Sequence, residues 1–235
     1  MNEIGQIRKI SIWIFIIPVV VINLCLFVSV NGHLLQNTVL QVDAIGRIAF
    51  TIPYIDGGVS ISRVVRTYPS YMLFKPGMII TAILLIQYWM ANNRLFKKIN
   101  NDNNKNNSFL LFGVGSALFL ILHSIFLGIN FEVDIYKFFR RFVLLGFIIF
   151  EIIAQAILVI SIIKNKSKIT KFINNKILVL KMILVSVLVI VAVLSAPILN
   201  SEEYDYFKHA LEWNYFVGVI FFYLLSFLFW KKVKA

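Results

Sequence analysis

Long runs of apolar residues alternate with short polar segments along the whole chain. Six runs are long enough for an α-helix to cross a hydrocarbon core of roughly 30 Å, which takes about 18 or more residues. The runs are Ile10–Val30, Met72–Met90, Phe109–Ile129, Phe142–Ile163, Ile177–Leu199 and Asn214–Trp230. Because lipid offers the backbone no hydrogen-bond partners, each run is predicted to be a helix. A transmembrane barrel is excluded, since it would show alternating segments of roughly ten residues instead.

Composition favours an all-α membrane protein, with residues 1–235 forming one integral membrane domain. Of its 235 residues, 60% are hydrophobic and 14% are charged, which is too little polar surface for a soluble domain. The first run follows Arg8 and Lys9 but exceeds the apolar core of a secretory signal, so we expect a retained signal-anchor helix. The single cysteine, Cys25, excludes an internal disulfide and a cysteine-based metal site.

Basic residues are concentrated on one side of the predicted bundle. The N-terminus, residues 91–108, residues 164–176 and the tail after Trp230 carry fourteen basic and two acidic side chains, whereas the other side carries eight of each. The net charge of +12 therefore lies on one side, which the positive-inside rule predicts to be cytoplasmic, together with both termini. We expect these lysines to contact anionic lipid headgroups. No nucleic-acid partner is expected, because stacking aromatics do not alternate with the basic residues.

The longest segment outside the runs, residues 31–71, lies on the predicted external side. Loops of about forty residues are usually functional or locally structured rather than simple connectors. Two pieces of this loop, "RIAFTIPYI" and "VSISRVVR", have the composition of strands, and Asp56-Gly57-Gly58 between them is a turn signal. The loop is therefore predicted to form a small hairpin over the bundle, with Pro53 confining the first piece to an edge strand.

Two ionisable side chains stand out within the predicted helices, His123 in the third and Glu151 in the fourth. Counted from the external ends of their runs at ~1.5 Å per residue, both are expected roughly 10–14 Å below the boundary, on neighbouring antiparallel helices. Ser124 adjoins the histidine, and Gln155 lies one turn from the glutamate. The pair indicates either a proton-handling or headgroup-binding site with Glu151 as base or anchor, or a structural clamp between helices.

Arginine pairs at the external boundary are candidates for binding phosphate. Arg63 with Arg66, or Arg140 with Arg141, would suit a lipid headgroup because guanidinium forms bidentate bonds with phosphate; otherwise they are solvated or paired. Lys181, near the inner end of the fifth run, is expected to extend its ammonium group to the cytoplasmic face. No metal and no cofactor is predicted, because one buried histidine and one glutamate do not supply enough ligands.

The long loop and the start of the last helix carry motifs that resemble those of a known family. The residues that carry the resemblance are Pro53, Ile55, Asp56, Gly58, Pro69, Glu212 and Trp213. With six helices, this layout resembles the Frag1/DRAM/Sfk1 family, whose members have a Pro-x-Ile-Ser-Asp-Thr-Gly type motif, a second proline and a Glu-Trp pair. The chain departs from that pattern: the serine before the aspartate is missing, Gly57 replaces the threonine, and Ser70 follows the second proline where an acidic residue is often found.

The resemblance implies a role in lipid remodelling, autophagy or membrane lipid organisation, without an accepted set of catalytic residues. We therefore expect a non-enzymatic or accessory protein with membrane lipids as partners. The Asp56 segment would act as a lid over an outward-facing headgroup pocket, with Glu212 helping to hold it. Two alternatives stay open: an intramembrane lipid-modifying enzyme with Glu151 and His123 as acid–base pair, and a small-solute or proton-coupled transporter. The membrane is either the plasma (or cytoplasmic) membrane or an endomembrane.

Overall fold

Six long helices and two short ones make up the computed structural model, which describes residues 2–101, 107–128, 134–199 and 204–231. The helices are α1 (Asn2–Val30), α2 (Ile61–Arg66), α3 (Ser70–Asn100), α4 (Ser108–Phe126), α5 (Asp134–Lys164), α6 (Lys166–Ile169), α7 (Asn175–Leu199) and α8 (Asp205–Phe229). The six long ones are long and apolar enough to cross a membrane, so the predicted six-helix architecture of a multi-pass membrane protein is confirmed.

The long helices extend beyond the apolar runs that predicted them. α1 begins at Asn2, α3 continues to Asn100, and α5 begins at Asp134. An apolar run marks only the stretch that suits hydrocarbon, whereas backbone hydrogen bonding continues into the polar boundary. The additional turns bring charged side chains at the helix ends into contact with other elements.

Packing between the helices closes them into a ring. In order around the ring, α1 packs against α3, α3 against α4, α4 against α5, α5 against α7, α7 against α8, and α8 back against α1. Small residues allow large rings to approach closely, as at Gly113, whose backbone lies against the Trp89 indole, and at Gly146, which lies against Phe119. Outward-facing apolar side chains such as Trp13, which is 54% exposed, are then available to lipid.

One end of the ring, called the lysine end below, gathers the basic segments. Arg8 on α1 donates a hydrogen bond to the carbonyl of Trp230, and Lys98 on α3 forms an ion pair with Glu3. The backbone amide of Lys231 donates to the carbonyl of Phe172 at 2.8 Å. The start of α1 and the end of α8 therefore meet at this end; that it faces the cytoplasm stays a prediction.

Residues 31–69 cover the opposite end, called the loop end below, and the predicted hairpin there is wrong. Within the described ranges the structure has no strand, only an isolated bridge between Ile173 and Trp230 at the lysine end. The piece "VSISRVVR" instead contains α2, whose N-cap Ser60 accepts a hydrogen bond from the Arg63 amide at 3.3 Å. Its β-branched residues favour a strand locally, but helix formation buries Val64 and Val65 in the core, and that packing prevails.

Candidate functional site

Asp56 closes a turn formed by residues 51–58, called the Asp56 turn below. Its Oδ1 accepts hydrogen bonds from the Thr51 hydroxyl at 2.6 Å and the Gly58 amide at 2.8 Å, and its Oδ2 accepts one from the Ile52 amide at 2.8 Å. These bonds lower the pKa of the Asp56 carboxyl below its ordinary value, with the Thr51 hydroxyl as the largest cause. The amide of Gly57 also donates to the carbonyl of Pro53 at 3.2 Å, so the turn is closed by both backbone and side chain.

This arrangement predicts that the Asp56 turn loosens in acid. A group whose pKa is lower in the folded chain contributes stability above its ordinary value, here 3.8, and loses that contribution as the pH falls through the folded value. Amide hydrogen exchange in the Asp56 turn, corrected for its intrinsic pH dependence, should stay slow from neutral pH down to about pH 4 and accelerate below it.

The matched variants for this prediction are Asp56→Asn and Asp43→Asn. Asp56→Asn removes the charge and one acceptor oxygen, so exchange in the turn should already be fast at neutral pH. Asp43→Asn removes another carboxylate of the same loop and should behave as wild type. Slow exchange in the Asp56→Asn turn at neutral pH would contradict the assignment.

The first turns of α8 hold the Asp56 turn against the bundle. His209 Nδ1 lies 3.0 Å from the carbonyl oxygen of Gly57. The indole N–H of the fully buried Trp213 donates to the Val59 carbonyl at 2.8 Å, and the Asn214 amide donates to the Tyr54 carbonyl at 2.7 Å. The carbonyls of Tyr54, Gly57 and Val59 thus all have partners on one helix, which fixes the path of the loop backbone.

Glu212 stabilises α2 rather than the Asp56 turn itself. Its carboxylate lies close enough to the backbone amides of Ile61 and Ser62, the first two residues of α2, to interact with them electrostatically. Free amides and the positive end of the helix dipole make a helix N-terminus a favourable place for a carboxylate. The adjacent residues Glu212 and Trp213 therefore lie against two successive parts of the loop, the start of α2 and the carbonyl of Val59, whereas the sequence predicted that Glu212 would hold the Asp56 segment.

Pro69 holds a different part of the loop end. It is buried at the start of α3, follows Tyr68 through a cis peptide bond, and its carbonyl accepts from the Met72 amide at 2.9 Å. The hydroxyl of Tyr68 donates to the carbonyl of Val39 at 2.6 Å. This corner anchors the first half of the loop. Among the described residues, the hydrogen bonds of this corner do not connect Pro69 with the Asp56 turn.

A cavity of about 390 Å³ opens beside the Asp56 turn. It is lined by Arg47, Ile48, Ala49, Phe50, Thr51, Asp56, Gly58, Arg63 and Tyr206. Across the described ranges, neither Arg47 nor Arg63 forms an ion pair, although the Nε of Arg47 donates to the Val42 carbonyl at 3.2 Å. With two guanidinium groups and one carboxylate in its lining, the cavity carries a net positive charge, and the oxygens of Asp56 already accept three hydrogen bonds.

A second basic group lies between α2, α4 and α5. Partial burial lowers the pKa of the Arg66 guanidinium, and the neighbouring charges of Arg140 and Arg63 lower it further. Arg140 is also close enough to His123 to act on it electrostatically. The side chain of Arg141, predicted to pair with Arg140, lies outside the described residues. Arg63 therefore lines the cavity, and Arg66 lies near both Arg63 and Arg140.

Glu151 and His123, expected to lie at similar depth, do not contact each other. Glu151 is buried beside Ser116, whose Oγ lies 2.6 Å from Glu151 Oε2, and it also bonds to Gln155 and Tyr223. Ser116 and His123 are seven residues apart on α4, or roughly 10 Å along the helix axis. Glu151 is therefore level with Ser116 rather than with His123 along α4.

His123 instead packs its ring edge-on against Phe74, with centroids 6.5 Å apart. Its Nδ1 is buried and has no hydrogen-bond partner in the described part of the chain. In the described ranges, no group of three His, Cys, Asp or Glu side chains could hold a metal ion. The acid–base pair of Glu151 and His123 is therefore not formed in this structure.

Several buried polar residues were missed or misplaced by the sequence analysis. Lys181 does not extend to the membrane boundary: it is buried, donates to the Ser226 hydroxyl at 2.7 Å and lies over the ring of Phe222. Tyr223, which bonds to Glu151, and Tyr88, whose hydroxyl lies 3.0 Å from Ser226 Oγ, are also inside the ring. Their only sequence signal is that each interrupts an otherwise apolar run with a polar atom.

Comparison of the sequence with protein-family models, with curated proteins and with solved structures finds no match.

Proposed function

We propose that this multi-pass membrane protein binds the phosphate headgroup of a membrane phospholipid in the cavity beside the Asp56 turn. The main observation that supports this proposal is that Arg47 and Arg63 line one cavity of about 390 Å³ at the loop end. Guanidinium groups bind phosphate through paired, charge-assisted hydrogen bonds. The ligand is held through its headgroup, and the protein acts as an accessory factor in lipid organisation or remodelling rather than through a catalytic pair.

The surroundings of the cavity favour a lipid over a soluble phosphate. Phe50 and Tyr206 line it and are 82% and 73% exposed, and the nearby Ile55 and Phe207 are also exposed. Aromatic and aliphatic side chains beside arginines are typical of a surface that lies at the level of lipid headgroups, with the apolar groups entering the acyl boundary. A phospholipid would satisfy both features, with its phosphate in the cavity and its chains along the apolar side.

The contacts of the loop with α8 support binding by a pre-formed site. The segment that carries Arg63 is fixed by Ser60 and Glu212 at the start of α2, and the preceding carbonyls are fixed by Trp213 and Asn214. A site whose backbone is already ordered loses less conformational entropy when it binds its ligand. This agrees with a lid that is closed on the bundle through α8.

The distribution of basic residues predicts which side of the membrane the cavity faces. The lysine-rich end is predicted to face the cytoplasm, so the cavity at the loop end would take a lipid of the outer or lumenal leaflet. Assignment to the Frag1/DRAM/Sfk1 family rests on the loop and Glu-Trp motifs, and the proximity of Glu212 and Trp213 to the residues that directly follow the loop motif supports it. The alternative of an intramembrane enzyme has no such support, because Glu151 and His123 do not meet.

Lipid titration followed by native mass spectrometry tests the proposal. Detergent-solubilised protein is titrated with phosphatidylglycerol or with diacylglycerol of the same acyl chains. We expect wild type to retain one phosphatidylglycerol and the Arg47→Gln/Arg63→Gln variant to bind it roughly 10- to 100-fold more weakly, as expected for the loss of charge-assisted hydrogen bonds. Diacylglycerol, which lacks the phosphate, should not distinguish the two proteins.

The control is Arg94→Gln, which removes an arginine that hydrogen-bonds Gln6 at the lysine end. It should bind phosphatidylglycerol as wild type does, because its charge lies far from the cavity. Equal affinity of wild type and the double variant would refute the headgroup site. Equal binding of inorganic phosphate and phospholipid would replace the lipid by a soluble anion.

A further inference from the structure

Glu151 on α5 and Lys181 on α7 are both buried inside the helix ring, with exposed fractions of 0% and 1%. An isolated charge at membrane depth is costly, so such residues are paired, neutral or functional. In the described part of the chain neither one contacts a side chain of opposite charge. Each hydrogen-bonds hydroxyl groups instead, Glu151 those of Ser116 and Tyr223 and Lys181 that of Ser226.

The hydrogen bonds around Glu151 accommodate both the carboxylate and the protonated acid. Ser116 Oγ lies 2.6 Å from Glu151 Oε2 and 2.8 Å from the Gly113 carbonyl oxygen. The serine has only one hydroxyl proton for these two acceptors. If Oε2 carries a proton, it donates to Ser116, and Ser116 donates to Gly113. The other oxygen, Oε1, accepts from Gln155 at 3.0 Å and from the Tyr223 hydroxyl, and a proton received on Oε1 would be donated back to the Tyr223 oxygen.

The surroundings of Lys181 also suit both of its protonation states. Its Nζ lies 2.7 Å from Ser226 Oγ and 3.9 Å from the centre of the Phe222 ring. The ring face stabilises an ammonium ion, and the serine accepts a hydrogen bond from ammonium or amine alike. Ser226 Oγ is in turn 3.0 Å from the hydroxyl oxygen of Tyr88 and 2.9 Å from the Phe222 carbonyl oxygen, so its hydroxyl proton has two alternative acceptors.

Two tyrosines bring these groups together. The rings of Tyr88 and Tyr223 pack edge to face with centroids 5.0 Å apart. The Tyr88 hydroxyl hydrogen-bonds Ser226, the partner of Lys181, and the Tyr223 hydroxyl hydrogen-bonds Glu151. Two buried acceptors near this contact, Asn92 Oδ1 and Gln155 Oε1, have no protein partner in the described ranges. Buried water ordinarily satisfies such atoms.

We propose that Lys181 and Glu151 are the two ends of a proton-transfer row inside the bundle, through which Glu151 exchanges protons with the lysine end. The row runs from Lys181 through Ser226, Tyr88, one bound water and Tyr223 to Glu151. Lys181 is six residues into α7, or roughly 9 Å from its start at the lysine end. This inference is independent of the proposed headgroup site.

The transfer conserves atoms and charge. The ammonium of Lys181 gives a proton to Ser226 Oγ, whose own proton moves to Tyr88. The Tyr88 proton moves to the water, a water proton moves to Tyr223, and the Tyr223 proton moves to Glu151 Oε1. An ammonium and a carboxylate become an amine and a carboxylic acid, so the net charge inside the membrane does not change and no oxidant or reductant is needed.

Infrared spectroscopy of the purified protein in liposomes tests the row. The C=O stretching band of protonated Glu151 is identified by its loss in Glu151→Gln, and its shift after transfer to D2O reports the rate of proton exchange. We expect Lys181→Met, Ser226→Ala and Tyr88→Phe each to slow this exchange by at least about tenfold, which corresponds to about 1.4 kcal/mol in the barrier. The last two variants leave both ionisable groups in place.

Lys75→Met is the matched control, because it removes a lysine of α3 that bonds to the Ile125 carbonyl at the other end of the bundle. It should exchange at the wild-type rate. Wild-type exchange in both Ser226→Ala and Tyr88→Phe would overturn the row and leave only an electrostatic role for Lys181. Absence of a Glu151 carboxylic acid band at every pH at which the protein stays folded would also overturn it.

Discussion

Replacing Trp213 with alanine is expected to lower the free energy of unfolding by about 3–5 kcal/mol, the range found when buried aromatic side chains are truncated. The Trp213 indole is fully buried, packs edge-on against Tyr54 with centroids 4.9 Å apart, and donates to the Val59 carbonyl at 2.8 Å. The substitution removes this packing and leaves the carbonyl without its donor. Unfolding by sodium dodecyl sulfate in mixed micelles, followed by circular dichroism, measures the change.

Two further variants separate the contribution of the Trp213 hydrogen bond from that of its buried ring, and both from the loss of an exposed tryptophan. Trp213→Phe keeps most of the ring but loses the hydrogen bond, and should cost about 1–3 kcal/mol. Trp13→Ala removes a tryptophan that is 54% exposed on the outside of α1, and should cost less than about 1 kcal/mol. A Trp213→Ala protein as stable as Trp13→Ala would show that the docking of the loop on α8 does not stabilise the fold.

Replacing Gly57 with alanine is the second change for which we expect a large effect, about 2–4 kcal/mol of destabilisation of the docked loop. Gly57 has φ +62°, a left-handed conformation that costs other residues energy, and an added Cβ would collide with the backbone carbonyl of Tyr206. A backbone atom cannot move aside as a flexible side chain can. The Asp56 turn should therefore separate from α8, and limited proteolysis should cut within residues 51–58.

Gly5→Ala provides the control for Gly57→Ala. No heavy atom lies within 4 Å of the Cβ that would be added at Gly5, and the residue lies in α1 with helical geometry. Alanine at that position should leave stability unchanged or raise it, because alanine is the better helix former. Equal protease resistance of the Gly57→Ala and wild-type loops would contradict the close approach to Tyr206.

The helical architecture could be predicted from the sequence because it depends on a local property, the length of each apolar run. The ends of the helices could not, since charged first turns such as that of α1, where Glu3 pairs with Lys98, are stabilised by neighbours that no local pattern reveals. The same limit explains why the segment that forms α2 was predicted to be a strand. Val64 and Val65 favour a strand by themselves, and only their burial against the core makes the helix more favourable.

The parts of the candidate site also differ in whether local sequence or distant contacts determine them. Asp56 and the glycines after it indicate a turn by their chemistry, and the turn is present with three hydrogen bonds to the carboxylate. That this turn and Trp213 meet could not be predicted from the sequence, because they are far apart in the chain. Lys181 was misplaced because its length permits both a boundary position and a buried one, and only the position of Ser226 decides between them.

The contacts between the loop and α8 also determine when the fold can be completed. Residues 51–66 are synthesised early, but their partners Glu212 and Trp213 lie in the last long helix. About 150 residues must be translated in between, which takes roughly 10–30 s at ordinary rates of elongation. During that time the early segment waits at the membrane surface without its partners. Insertion of the final helix is thus the event that completes the loop end, and a ribosome stalled before it would leave that segment exposed to cellular proteases.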